Sequence, residues 1–328
     1  MAPNIKDVAE RAGVSVTTVS RVLNNRGSIS EKTRTKVNRV MKELNYYPNQ
    51  LAINLFKQRT MLVGLIVPDV SHPFFAAEVK YIECALQERG YRLLLCNAEE
   101  NNNREREYFE MLQCNKVDGV MVASHTLDLD FYSQVNLPIV ALDRYLGHNV
   151  PTVSADHEQG GRLAAQELLS KGCRHVVQIA GCSAVPTPSN RRHEVFAEIL
   201  KKHDVECKTV ELPLNAFDVK DYWAFSRQIF QQNPWIDGVF AVDHVACAVK
   251  KVAADQGMSV PENLKIVGYD GTAEAFMGEK ILTTVAQPIE KIACTAVETL
   301  LEMISDRDFF SPGTHIKLPV RLLKGETT

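Results

Sequence analysis

From residue 60 onward the chain alternates short apolar runs with amphipathic stretches, and that alternation restricts the fold more than any other feature. "LVGLIV" reads as a strand, residues 74–89 as a helix, "RLLLC" as a strand and residues 103–115 as a helix, followed by the strands "GVMVA" and "IVAL". Near Asp156 the pattern restarts: helix 158–170, "HVVQIA", helix 191–203, "TVEL", helix 218–232, "GVFAV", helix 244–256 and "KIVGY". Such alternation builds parallel sheets with helices on both faces, because a parallel pair needs a long crossover that a helix fills. Two successive runs predict two similar lobes. In sheets of this kind ligands bind beyond the carboxyl ends of the strands, so the residues that follow each strand matter most.

A length of 328 residues exceeds one modest core and predicts two or three domains. No apolar run approaches the ~18 residues of a membrane span. The start, "MAPNIKDVAE", lacks the apolar stretch of a secretory signal, so a cytoplasmic protein is expected. The eight cysteines include no C-x-x-C pair and no histidine at zinc spacing, and they read as small buried hydrophobes, with neither metal nor cofactor expected. His72, His125, His157, His193 and His244 show no H-E-x-x-H spacing and read as hydrogen-bonded loop residues.

Charge separates the amino-terminal segment from the rest. Residues 1–59 carry eleven Lys/Arg against four Asp/Glu, a surplus of seven, while the remainder is ten charges negative. A basic head on an acidic body suits contact with a polyanion. Within the head, "DVAERAGVSVTTVSRVLNN" places Ile5, Val8, Ala9 and Ala12 at helical spacing, turns at Gly13, and resumes with Ser15 as cap and Val19, Val22 and Leu23 as the buried stripe. Two short helices packed across so tight a corner make a helix-turn-helix, whose second helix enters the major groove. Val16, Thr17, Ser20 and Arg21 then face outward. Arg21 can pair with guanine, and the methyls of Val16 and Thr17 can meet thymine. Ser15, Thr18, Ser20 and Asn24 offer short donors to phosphates, and Ser30 and Thr33, at the start of a third helix in "SEKTRTKVNRVMKELNYY", are expected to do the same. In "YYPNQLAINLFKQRT", Asn49 can cap a brief helix through residue 57. Its Leu51, Leu55 and Phe56 form either an apolar wedge for a minor groove or a linker packed on the next domain.

"IKDVAERAGVSVTTVSRVLNN" and "YYPNQLAINLFK" resemble the head and hinge of the LacI/GalR family of bacterial repressors, and the resemblance runs over the whole chain. "CNAEENNNREREYFEMLQCNKVDGV", "PIVALDR" and "VPTVSADHEQGG" are similar to the sucrose-operon branch of that family. The resemblance implies an α/β chain: a three-helix helix-turn-helix domain at 1–46, a hinge helix at 47–59, and a core of doubly wound parallel sheets like periplasmic binding proteins. The core would divide into an N-terminal lobe of 60–157 with 288–316 and a C-terminal lobe of 158–287 with 317–328. It implies a homodimer reading near-palindromic double-stranded operator DNA, with Val16, Thr17 and Arg21 on base-reading positions, and Asn49, Leu51, Ala52 and Leu55 in the minor-groove hinge, Leu55 as the wedge.

The polar residues after the strands suit a sugar: Asp69, Ser71, His72 and Phe74 after the first, then Ser124, Asp143 with Arg144, Arg191 with Arg192, Asp243 and Asp270. Phe74 or Phe217 can stack on a sugar's C–H face. The resemblance carries Phe74, Asp143, Arg192, Phe217, Asp270 and Gln287 onto effector positions, while Val242 departs from the polar residue of many sugar-binding relatives. Arg144, Arg191 and Arg192 would suit a sugar phosphate. The expected function is therefore a DNA-binding repressor controlled by a sugar or sugar phosphate, and not an enzyme. A sugar transport receptor lacks a reason for the basic head. A dinucleotide enzyme would need G-x-G-x-x-G after the first strand, where only Gly64 stands. Gly160–Gly161 at a helix start admits either a phosphate or close helix packing.

Overall fold

Two units divide the chain at Met61 and Leu62 in the computed structural model, which describes residues 3–24, 26–47, 59–98, 102–124, 130–133, 135–184, 186–213, 218–306 and 309–328. In the first unit, α1 (Ile5–Ala12), α2 (Val16–Leu23) and α3 (Glu31–Glu43) are each started by a side-chain cap. Asn4 Oδ1 accepts from Lys6 N, Ser15 Oγ from Thr18 N at 3.1 Å, and Ser30 Oγ from Thr33 N at 3.2 Å. Gly13 ends α1 at φ 61°, a left-handed conformation that costs glycine little, and its N–H reaches Glu10 O. Eight-residue helices do not hold alone in water. Here they are held by a shared core of Val8, Ala9, Ala12, Val19, Val22, Val37 and Val40.

The second unit contains two six-stranded sheets. The first lobe has β1 (Leu62–Val67), α4 (Pro73–Glu88), β2 (Arg92–Asn97), α5 (Asn102–Cys114), β3 (Gly119–Val122), the one-turn α6 (Asp130–Ser133), β4 (Ile139–Leu142) and β5 (Thr152–Ala155). The second has α7 (His157–Ser170), β6 (His175–Ala180), α8 (Asn190–Lys202), β7 (Glu206–Glu211), α9 (Val219–Gln232), β8 (Gly238–Phe240), α10 (Asp243–Asp255), β9 (Lys265–Asp270) and β10 (Thr283–Ala286). The chain then returns to the first lobe for α11 (Ile289–Ser305) and β11 (His315–Leu318), and ends in the second with β12 (Arg321–Leu323). The strand orders are β11-β5-β4-β3-β1-β2 and β12-β10-β9-β8-β6-β7, all neighbours parallel except β10 with β12. The chain thus passes between the sheets three times. β3, β4, β5, β8 and β10 are buried along their whole length, as strands covered on both faces must be.

Four elements read differently from their sequence. "TVEL" extends back to Glu206, because β7 is an edge strand whose outer positions stay polar. "GVFAV" shortens to β8, because Val242 leaves the sheet to begin α10. β5 and β10 carry Thr and Ser in full burial, with Thr284 Oγ1 donating to Asp243 at 2.6 Å, so no apolar run announces them. The Gly160–Gly161 pair serves packing. A side chain at Gly160 would strike the Tyr269 ring, and one at Gly161 would strike the backbone carbonyl of Arg192 on α8.

Candidate nucleic-acid surface and ligand cleft

On the first unit the outer face of α2 is short, capped and open. Val16, Thr17 and Arg21 are exposed, Val16 to 41% of its surface. The Ser15 and Thr18 hydroxyls hydrogen-bond each other at 2.9 Å, as do those of Ser30 and Thr33, so each pair fixes a helix start. Ser20 is half-buried beside Arg21. Asn24 corrects the sequence reading. It is half-buried and turned back along α2, its amide donating to Ser20 O at 2.9 Å, so it is not an outward phosphate donor. Asn49, Leu51, Ala52 and Leu55 lie outside the described residues.

In the second unit a cleft of about 1070 Å³, its mouth included, lies between the lobes at the carboxyl ends of the strands. The first lobe lines it with His72, Phe74, Phe75, Glu78, Leu142 and Asp143, and the second with Asn190, Arg192, His193, Tyr222, Val242 and Asp270; Gln287 stands on the passage between them. His72 immediately precedes α4, and Phe74, Phe75 and Glu78 share one face of it at helical spacing. Ser189 opens α8 and presents Arg192 from its first turn. Asp143 and Asp270 follow β4 and end β9, both with positive φ, 49° and 112°. For residues with a Cβ this is strained backbone, of the kind found where a structure aims a side chain.

The polar groups form one connected set. Gln287 Nε2 donates to Asp270 Oδ1 at 2.8 Å. The Arg192 guanidinium sits 4.4 Å over the Tyr269 ring and gives its Nε–H to His193 Nε2 at 3.2 Å. His157, the first residue of α7, touches the Tyr269 hydroxyl at 2.8 Å through Nδ1 and Asp143 Oδ1 at 2.7 Å through Nε2, which ties the lobes together. Burial, then Arg192 beside it, holds His193 well below the usual imidazole range, so it is neutral. Burial pushes Asp270 up to about 7, with Arg192 pulling the other way. Burial, then Asp143, pushes Glu78 up to about 8.

The cleft gathers His72, Phe74, Asp143, Arg192, Asp270 and Gln287 of the residues named from sequence; Asp69 and Ser71 hydrogen-bond each other outside its lining, and Phe217 lies outside the described residues. Four others are corrected. Ser124 is 1% exposed and receives Arg144 Nη1 on its carbonyl; Arg144 is itself buried among Glu105 and Tyr132, behind the wall. Asp243 is fully buried and accepts from Thr272 N, Thr272 Oγ1 and Thr284 Oγ1, so it ties α10 to β10 and to the loop after β9. Arg191 points away, pairing with Glu194 at 2.8 Å and lying near Glu198 and Glu158. The sequence reading passed over Glu78, Asn190 and Tyr222, and took His193 for a loop residue where it stands on α8. Glu78 did leave a signal, a carboxyl four residues after Phe74 on an apolar helix face.

Residues 4–49 match the family described as bacterial regulatory proteins, lacI family, and residues 60–326 match the periplasmic binding proteins and sugar binding domain of the LacI family. The chain is 40% identical to the sucrose operon repressor of Streptococcus mutans over 328 residues, all of both chains. It is 29% identical to a solved transcriptional regulator CelR–cellobiose complex, covering 99% of this chain and all of that one, with a TM-score of 0.73. The lac repressor dimer bound to operator and an anti-inducer shares the fold, with a TM-score of 0.88 at 24% identity over 100% of this chain and 99% of that one.

Proposed function

The chain belongs to the LacI family of bacterial regulatory proteins, and from that premise we propose a transcriptional repressor of a carbohydrate-utilisation operon whose hold on double-stranded DNA is set by a sugar between the core lobes. The observation that carries this reading is the cleft itself. It is walled by both lobes, with an acid from each on strained backbone and aromatic rings beside them, which suits a ring bearing hydroxyls on its edges and C–H bonds on its faces. The similarity to a sucrose operon repressor and to a cellobiose complex supports the same ligand class.

In this reading α2 lies in the major groove, with Arg21 on a guanine, Val16 and Thr17 against thymine methyls, and the Ser15, Thr18, Ser20, Ser30 and Thr33 region along the phosphates. Residues 47–59 form the hinge, with Asn49, Leu51, Ala52 and Leu55 in the minor groove. Two chains act together on a near-palindromic site in the cytoplasm. The lobes follow the two sheets, so their expected bounds move to 60–156 with 288–318 and 157–287 with 319–328, because α7 opens at His157 and β11 stays paired with β5 through Leu318. A sugar meeting Phe74 and Asp143 on one side, and Arg192, Asp270 and Gln287 on the other, changes the angle between lobes and thereby the separation of the hinges. A ligand shifts such an equilibrium only by its differential affinity for the two states. A coupling of ~1–3 kcal/mol changes operator affinity roughly 5- to 150-fold. The test is fluorescence anisotropy of the full chain on duplexes selected from a random pool, with and without sugars. Preference for one duplex, relaxed by a sugar, is expected; equal binding to selected and random duplex under all conditions sinks the reading.

A further inference from the structure

Resting on that reading of the cleft as a carbohydrate site, we infer that its ligand is an uncharged polyhydroxy sugar, not a sugar phosphate, and that Glu78 is a residue that selects it. Glu78 is 2% exposed, lies on the cleft wall, and its Oε2 has no hydrogen-bond partner. A buried carboxyl oxygen without a partner is unfavourable until something fills the site with a matching group. Because burial raises Glu78 to about 8, it carries its proton at neutral pH and offers one donor and one acceptor. A sugar hydroxyl supplies the complement of both. A phosphate dianion supplies acceptors alone.

The charges of the wall point the same way. Among the described residues lining the cleft there are three carboxyls, Glu78, Asp143 and Asp270, against one permanent cation, Arg192. Arg192 already faces Asp270 and is stacked on Tyr269, and the neighbouring His193 is neutral. The amino ends of α4, α8 and α10 also reach the wall, each with about half a positive charge. Facing them stands a carboxyl from each lobe, Asp143 and Asp270, so a dianion would enter between two acids with no unengaged guanidinium among the described lining residues to hold it. The other two arginines that would favour phosphate are elsewhere, Arg144 buried behind the wall and Arg191 outside among three glutamates.

The experiment is titration calorimetry of the full chain with sucrose, fructose, glucose and ribose, each against its phosphate monoester. At least one free sugar should bind, and its ester at least about tenfold more weakly. Glu78→Leu, which replaces a buried carboxyl by an apolar group of similar size, should weaken that sugar by about tenfold or more, and Glu78→Gln, which keeps a donor and an acceptor, should recover most of the loss. Thermal melting of both variants without sugar checks that they fold. An ester that binds as tightly as its parent sugar overturns the inference and leaves the repressor reading standing. Undiminished affinity in Glu78→Leu overturns the role of Glu78. Binding of neither kind overturns the carbohydrate reading itself, and the inference falls with it.

Discussion

Glu78 keeps its proton at a pH where an unfolded glutamate has lost it, and that difference is visible in stability. Between about 4.5 and about 8 the folded chain holds one proton more than the unfolded chain at this site. Stability contributed here therefore falls as pH rises, by roughly 1.4 kcal/mol per unit at most. His193 acts in the opposite sense. Its depressed value makes the unfolded state the better proton binder below about 6.5, so stability rises with pH there. In denaturant melts between pH 6.5 and 8, Glu78→Gln should flatten the decline relative to the unsubstituted chain; an unchanged slope would mean that Glu78 is ionised. On the other unit, Arg21→Ala should weaken operator binding by about 1–3 kcal/mol and relax preference at one base pair, read from a competition series of single-base variants. Equal loss on every duplex would make Arg21 a phosphate contact.

At the scale of elements, what could be read in advance followed the physics of burial. Caps at Ser15 and Ser30 and the corner at Gly13 were legible because their signals are local: a short acceptor before a helix, and a backbone conformation that glycine takes cheaply. The strand–helix alternation was legible for the same reason. β5 and β10 were not, because their hydroxyls are satisfied by partners far away in sequence, as Thr284 is by Asp243. The same long-range pairing hid Asp243 and Arg144. Both looked like ligand groups after strands, and both are spent on holding loops together. The paired glycines were ambiguous alone and resolve once α8 is seen lying on α7. Gly161→Ala tests that contact. Its methyl meets the backbone carbonyl of Arg192, which cannot swing aside as a side chain would, so α8 must shift. A loss of about 1–3 kcal/mol in stability is expected, together with weaker sugar binding, because Arg192 moves with its helix. Calorimetry and melting on the same sample would show both, and a variant with neither change would place the two helices further apart.

Across the whole molecule, the response to a ligand depends on how the lobes are joined. His157 bridges Asp143 of one lobe and Tyr269 of the other without itself lining the cleft. His157→Leu should therefore reduce the sugar's effect on operator affinity more than it reduces sugar affinity, as measured by calorimetry and anisotropy in parallel; equal losses would make the residue a ligand contact. The three passages of backbone between the sheets have a consequence of their own. A single proteolytic nick in one passage leaves two covalent tethers, so the halves stay registered and can still open and shut, but about a looser axis. Such a clipped particle should go on capturing sugar while transmitting less of that event to the helices that hold the genome.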